Sequence, residues 1–365
     1  MSKKICLLTD SLSSGGAEKV AANLSVSLSE KGYKITIVSM RNMVNYEYAG
    51  TLYNFALIKE TNNKFNAFLK FKFFFCSNDF DVVIDHRVRS NFFKEFLFSK
   101  FIFAKKNVIY CIHSYQLKYY FSHLKLPKLS LFPHVKKAQF VSVCSEIQDL
   151  VNKKLNFKNI RIYNYVLSSQ LIEKASVGEV HENDDYIISI GRLFPLKQFD
   201  VLISCYNKSN LSKENIKLKI LGDGPEKTNL KMLISKLNLE NYIELIPFKD
   251  NPYTLMQNAK CLVLSSKEEG FPMVLIESLT LKTPVIAFNC KSGPSEIIKH
   301  NINGLLVENQ NQKALVEALN KLMLDKTFYK KIKENTQFGL NKFSENNSIE
   351  QWIHLIENGI TDFKK

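Results

Sequence analysis

The sequence predicts an α/β protein of two doubly wound domains, and three observations carry that prediction. Short runs rich in Val, Ile and Leu alternate with amphipathic stretches along both halves of the chain, the pattern of parallel strands covered by helices on both faces. Its 365 residues exceed what one hydrophobic core ordinarily supports. A polar stretch around 167–184 separates the two alternations. The expected organisation is a Rossmann-like domain over 1–166, a linker region over 167–184, a second Rossmann-like domain over 185–347 and a terminal helix over 348–365. That helix, SIEQWIHLIENGI with the only tryptophan, either packs across the domain junction or simply ends the chain.

In the first half, KKICLLTD (3–10) reads as a strand, SSGGAE (13–18) as a turn, and AEKVAANLSVSLSEKG (17–32) as a helix stopped by glycine. YKITIVSM (33–40), DVVID (81–85), NVIYCIH (107–113) and AQFVSVC (138–144) read as further strands. The second half offers DYIISIG (185–191), IKLKILG (216–222), NYIELIP (241–247), KCLVLSS (260–266) and TPVIAFN (283–289). Two such domains facing one another would leave a cleft lined by the carboxyl ends of both sheets, where α/β folds take ligands.

Composition narrows the class. No apolar stretch reaches the roughly 18 residues of a membrane-spanning helix, and the start lacks a signal-peptide apolar region, so a cytoplasmic chain is expected. The seven cysteines form no CxxC pair and read as buried thiols. The histidines are scattered without ligand spacing, so no metal site is expected. The net charge of +15 is uneven: residues 1–166 hold 25 basic and 11 acidic side chains, and the remainder 25 and 24. The first half also holds 18 of the 27 phenylalanines. KFNAFLKFKFFF (64–75) and RVRSNFFKEFLFSKFIFAKK (87–106) interleave the two kinds. One reading is a basic aromatic face on an anionic membrane; the other is a phenylalanine core beneath a solvated basic face. No nucleic-acid-binding motif accompanies the charge.

Four turns carry candidate chemistry. Gly15 and Gly16 lie between a strand and a helix start, where bare backbone can approach a phosphate or merely turn the chain. Gly191, Arg192 and Lys197 follow another strand; a guanidinium and an ammonium near a helix start suit a diphosphate, though in isolation they are ordinary surface charges. Gly222 and Gly224 read mainly as turn formers. EEGFPMVLIESL (268–279) places Glu269 before a helix and Glu277 more than a turn inside it. Free N–H groups of Met273 and Val274 lie between them. The arrangement suits a sugar nucleotide: sugar hydroxyls at Glu269, diphosphate at the N–H groups, ribose at Glu277. Two solvated glutamates around a helix start are the plainer reading of any single such pair.

Taken in order, GGAEKVAANLSVSLSEKGY, GRLFPLKQFDVLI, LGDGPE, SSKEEGFPMVLIESLTLKTPVIAFNCKSGPSEII and NGLLV resemble the family-4 retaining glycosyltransferases of the GT-B fold, in particular those that build bacterial surface polysaccharides. The resemblance implies that Arg192 and Lys197 hold the donor diphosphate, with Gly191 beside them. Glu269 would contact the donor sugar and Glu277 the ribose. Gly270, Phe271, Pro272, Met273 and Val274 would receive phosphate and sugar through their backbone, Gly16 would lie under the phosphate, and His113 would face the donor sugar. A histidine after a strand is otherwise more often structural. The implied activity is hexosyl transfer with retention and without metal. The donor would be a nucleotide sugar, UDP-linked, acting as co-substrate in place of any cofactor. The acceptor would be a glycan or a lipid-linked glycan of lipopolysaccharide, O-antigen or capsule, met at the inner face of the plasma membrane. A sugar-nucleotide epimerase on the same fold and an inactive glycosyltransferase-like subunit are the alternatives. The chain departs from the family in carrying Asn164-Tyr165 where members have Asn-Pro, and in lacking a glycine near Pro247.

Overall fold

The computed structural model describes residues 2–13, 15–136, 138–177 and 185–359. Two compact units divide the chain. Unit 1 comprises Met1–Tyr165 with Glu345–Lys365, and unit 2 comprises Val166–Ser344. Residues 178–184 of the expected linker and 360–365 of the expected terminal helix lie outside the described residues. Ser168–Ser176, read from the sequence as irregular, is a helix that buries Leu171 and Ala175 at i and i+4.

Unit 1 is built on a wholly parallel sheet. Its strands among the described residues are β1 (Lys4–Thr9), β2 (Lys34–Ser39), β3 (Thr51–Asn54), β4 (Val82–Asp85), β5 (Asn107–Ile112), β6 (Gln139–Ser142) and β7 (Ile160–Arg161). They lie in the order β3-β2-β1-β4-β5-β6-β7. The chain winds outward from β1 in one direction and then from β4 in the other, so the topological switch falls between β1 and β4, paired with Leu8 beside Asp85. Edge strands β3 and β7 escaped sequence reading because they are short and only partly buried. Ile5, Leu7, Ile37, Ile84, Ile109 and Val141 form one core layer, and Ile349, Trp352, Leu355 and Ile356 of the terminal helix (Glu345–Asn358) pack into it. Ser348 donates to Tyr163 O, and Lys3 pairs with Glu357 at 2.7 Å. The terminal helix therefore completes the core of unit 1.

The phenylalanine-rich stretches divide by residue. Phe71, Phe75, Phe98 and Phe103 are buried and meet edge-on or tilted. Phe65, Phe73, Phe93 and Phe101 are exposed. Arg87 and Arg89, read from the sequence as part of a basic face, are instead fully buried. Charge compensation explains this. Arg87 grips Asp85 through two hydrogen bonds of 2.9 and 2.7 Å and reaches Glu95 at 3.0 Å. Arg89 donates to the carbonyls of Asp85, Arg87 and Cys111 at 3.0, 2.9 and 2.8 Å. Burial alone raises a carboxyl pKa, but Arg87 and Arg89 outweigh it at Asp85 and hold that carboxyl below its usual range.

In unit 2, β8 (Tyr186–Ile190), β9 (Lys217–Leu221), β10 (Ile243–Ile246), β11 (Cys261–Leu264), β12 (Val285–Phe288) and β13 (Gly304–Val307) form the order β10-β9-β8-β11-β12-β13. Every pairing is parallel, and the switch falls between β8 and β11. Leu218, Ile220, Val263, Ile286 and Phe288 form its core with Leu202, Ile203, Leu315 and Leu319 from flanking helices.

Candidate active site

A doubly wound sheet leaves a crevice outside the carboxyl ends of the two strands at its switch point. In unit 2 those strands are β8 and β11, and the loops that follow them carry Gly191–Lys197 and Ser265–Glu269. The loops are stitched together. Lys267 N–H donates to Leu196 O at 2.9 Å, and Ser265 Oγ donates to Lys197 O at 2.9 Å. Lys197, at the end of a single 3-10 turn (Pro195–Lys197), reaches Glu269 Oε1 with its Nζ at 2.5 Å. Both are largely buried, at 23% and 11% exposure, so the pair is shielded from the screening that weakens surface ion pairs. Arg192 is exposed, with its guanidinium 5.4 Å from the Phe194 ring.

The Glu269 loop is fixed from its far side by the residues after β12. Glu269 N–H donates to Lys291 O, Ser292 N–H donates to Glu269 O at 3.1 Å, and Ser292 Oγ donates to Gly270 O at 2.7 Å. Gly293 sits at φ +99°, and a Cβ there would stand 2.7 Å from Pro272 Cδ, so only glycine allows this approach. Pro272 caps the helix Met273–Thr280; its first N–H groups have no partner within the helix. The side chains of Phe271, Pro272 and Met273 are buried, with Phe271 edge-on to Phe343 at 5.4 Å. Any ligand contact from these three falls to their backbone. Glu277, one turn further in, is buried and accepts from Tyr253 Oη at 3.4 Å.

Gly222 and Gly224 have the structural role the sequence favours. A Cβ on either would stand 2.0 Å from Gly191 O or 2.4 Å from Leu193 O, which is how the β9 turn nests under the Arg192 loop. Sequence reasoning missed Ser265, Ser292 and Tyr253, which carry no local signature.

In unit 1, Gly16 begins the helix Gly16–Glu30 after an extended Gly15. Among the described residues nothing lies within 4 Å of where a Cβ on Gly16 would stand. Ser14 of that turn lies outside the described residues. His113 follows β5; its N–H donates to Tyr120 Oη at 3.0 Å, and its Nε2 stands 3.0 Å from His86 Nδ1. The fold thus joins two histidines that look scattered in the sequence, because β4 and β5 are neighbours in register. Tyr165, standing where the family has proline, is buried; its hydroxyl donates to Ser27 Oγ at 2.9 Å and its carbonyl accepts from Asn23.

Burial pushes His86 down to about 4, with Arg89 adding to the effect, and His113 is held well below the usual imidazole range by burial, His86 and Arg89. Both rings are neutral at pH 7. The unfolded chain takes protons at ordinary imidazole values while the folded one refuses them, so stability is full above about pH 6.5 and falls as pH drops toward 4. His86 alone contributes about 3 kcal/mol over that window. Urea unfolding followed by Trp352 emission should show that decline between pH 7.5 and 5, and His86→Asn should flatten it. A pH-independent midpoint over this range would contradict the assignment.

Among the described residues, His86, Cys111 and His113 form one group with metal-ligand spacing, their donor atoms within 4.8 Å of one another. The donor set fits a cation poorly. A fixed positive charge stands beside it, since the Arg89 guanidinium donates to the Cys111 carbonyl at 2.8 Å.

Residues 172–338 match the family model described as glycosyl transferases group 1. A Campylobacter jejuni N-acetylgalactosaminyltransferase acting on a diphospho-undecaprenol glycan is 28% identical over 92% of this chain and 94% of its own. The amylovoran biosynthesis glycosyltransferase AmsD of Erwinia amylovora is 27% identical over 88% and 90%. Among solved structures, HepE of Anabaena in complex with UDP-glucose superposes with a TM-score of 0.73 at 16% identity, covering 97% of this chain and 99% of that one. The two parallel sheets are those of the GT-B fold, and residues 172–338, within unit 2, are similar to the group 1 glycosyl transferases.

Proposed function

We propose that the protein is a retaining, metal-independent hexosyltransferase. It moves a sugar from a UDP-linked donor to a glycan or lipid-linked acceptor during assembly of a bacterial surface polysaccharide such as lipopolysaccharide, O-antigen or capsule. One observation carries the reading: the Lys197–Glu269 pair stands at the β8/β11 switch point, next to an open helix N-terminus. A lone ion pair for stability has no reason to lie there; a cation and a carboxylate at the mouth of a phosphate-binding helix do. The Campylobacter relative acts on a lipid-linked glycan and the Erwinia relative serves polysaccharide synthesis, which supports the acceptor class. The Anabaena neighbour holds UDP-glucose, which supports the donor class.

In this reading the donor diphosphate takes Lys197 and Arg192 together with the N–H groups of Met273 and Val274. Glu269, released from Lys197, accepts from the sugar hydroxyls, and Glu277 accepts from the ribose. The acceptor hydroxyl attacks the anomeric carbon from the face the diphosphate leaves. The bond from that carbon to the phosphate oxygen breaks, and the acceptor proton passes to the departing oxygen. The cations and the helix N-terminus stabilise the charge growing on the leaving group. The resemblance also assigns His113 and Gly16 of unit 1 to the donor, where His113 would act as a neutral hydrogen-bonding group. The uneven charge of the chain supports work at the inner, anionic leaflet of a plasma membrane as a peripheral protein. Among the described residues no helix is long and apolar enough to cross a membrane.

Thermal shift and hydrolysis against a panel of nucleotide sugars test the donor. One UDP-sugar at a hundredfold its Kd should stabilise the protein by about 2.7 kcal/mol, and Lys197→Ala should abolish that response. No response to any donor would overturn the reading.

A further inference from the structure

We infer that the outer ridge of the helix Lys64–Ser77, with the groove beside it, seats aliphatic chains of an anionic lipid leaflet. The inference gives the membrane contact of the proposed function its residues and rests on that reading.

The helix is apolar on two faces. Ala67, Phe71 and Phe75, spaced i, i+4, i+8, point into the unit 1 core. Phe65, Leu69 and Phe73 repeat the same spacing on the outside, with Phe65 70% and Phe73 72% exposed. A surface helix ordinarily turns polar residues outward, and a row of bare phenylalanines is a surface made to be covered. Beside the ridge lies a groove of about 480 Å³, lined by Tyr53, Ile58, Leu69, Phe73 and Phe74 with Lys70. That volume lies within the range of small-ligand sites, but the lining offers few polar groups to orient a sugar or nucleotide. It suits hydrocarbon.

The charges choose the leaflet over other apolar partners. Residues 64–77 hold Lys64, Lys70 and Lys72 and no acidic side chain. Residues 91–106 hold Lys94, Lys100, Lys105 and Lys106; their one acid, Glu95, is turned inward to Arg87, and Lys106 is largely buried against Asp79 and drops out of the count. The two elements are continuous. Lys72 Nζ stands 5.8 Å from the Phe101 ring, and Phe71 meets Phe98 at 5.5 Å. Phe101 thus extends the exposed apolar surface of the ridge. Apolar side chains set among lysines complement an anionic headgroup layer over hydrocarbon, with each nearby lysine worth roughly a fivefold gain in binding.

The test is flotation of the full-length protein with phosphatidylglycerol-containing vesicles and with neutral phosphatidylcholine vesicles. The protein should float with the anionic vesicles, and Phe65→Ser with Phe73→Ser should bind at least about tenfold more weakly. Both positions are exposed, so the thermal midpoint should not move. Leu69→Trp places a reporter in the groove, and its emission should be quenched by lipids brominated along the acyl chain. Equal flotation of the double variant, or vesicle binding without quenching, overturns the seat while the membrane contact stands. A wild type that floats with neither vesicle overturns both, and so does one that prefers an apolar protein surface to either. None of these results bears on the donor site, which the nucleotide-sugar panel reads separately.

Discussion

Glu269→Gln is expected to lower kcat/KM by about a hundredfold, some 2.7 kcal/mol of lost transition-state stabilisation. Glutamine keeps the size of the side chain and one accepting oxygen but removes the charge. Two consequences follow. The sugar loses a carboxylate that strengthens its hold as the ring becomes oxocarbenium-like. Lys197, which now holds Glu269 at 2.5 Å, also loses its resting partner. Those effects separate in the kinetic constants. Loss of transition-state stabilisation appears in kcat; freeing Lys197 to meet the diphosphate lowers KM for the donor or leaves it unchanged. Steady-state kinetics with the identified donor, alongside circular dichroism to show an intact fold, checks both. Near wild-type kcat/KM would remove Glu269 from the reaction, and a loss confined to KM would reduce it to a binding contact.

The loops that carry the candidate donor residues were legible in the sequence, and for a physical reason. Gly191, Arg192, Lys197, Glu269 and Glu277 all follow strand ends in local runs, and glycine, proline and charge next to an apolar strand form a signal that survives without tertiary context. What the sequence could not carry was pairing across the fold. That Lys197 meets Glu269 depends on β8 lying beside β11, and nothing local to residues 191–197 announces a partner 72 positions away. Ser265, Ser292 and Tyr253 stayed invisible for the same cause: each acts by hydrogen bonds to a segment distant in sequence. Strands were read well where fully buried, as in Val82–Asp85, and missed at the edges, as in Thr51–Asn54, where half the pattern faces outward.

The largest misreading concerned charge. Arg87 and Arg89 look like part of a basic surface because composition does not reveal that Asp85 and Glu95 will fold against them. Replacing Arg87 shows the energetic weight of that misreading. Arg87→Met is expected to destabilise unit 1 by about 3–5 kcal/mol at pH 7, since methionine fills the volume against Phe98, which the guanidinium faces at 4.6 Å, but leaves Asp85 and Glu95 buried without their cation. Trp352 lies in the core of unit 1, so its emission in urea unfolding reports on that unit.

The pH dependence distinguishes an unpaired charge from lost packing. In the wild type the Asp85 carboxyl is held below its ordinary value, so its contribution is present at neutral pH and lost as pH falls through that depressed value. In Arg87→Met the same buried carboxyl has lost its main counter-charge and moves above its unfolded value, so it favours folding at low pH and opposes it as pH rises. The gap between variant and wild type should therefore narrow from pH 8 to pH 5. The neutral His86–His113 pair weakens both proteins over the same range and cancels in the difference. A gap that stays constant with pH would assign the loss to packing against Phe98. Adding Asp85→Asn and Glu95→Gln to Arg87→Met should then recover part of the stability if uncompensated charge is the cause, and none if it is not.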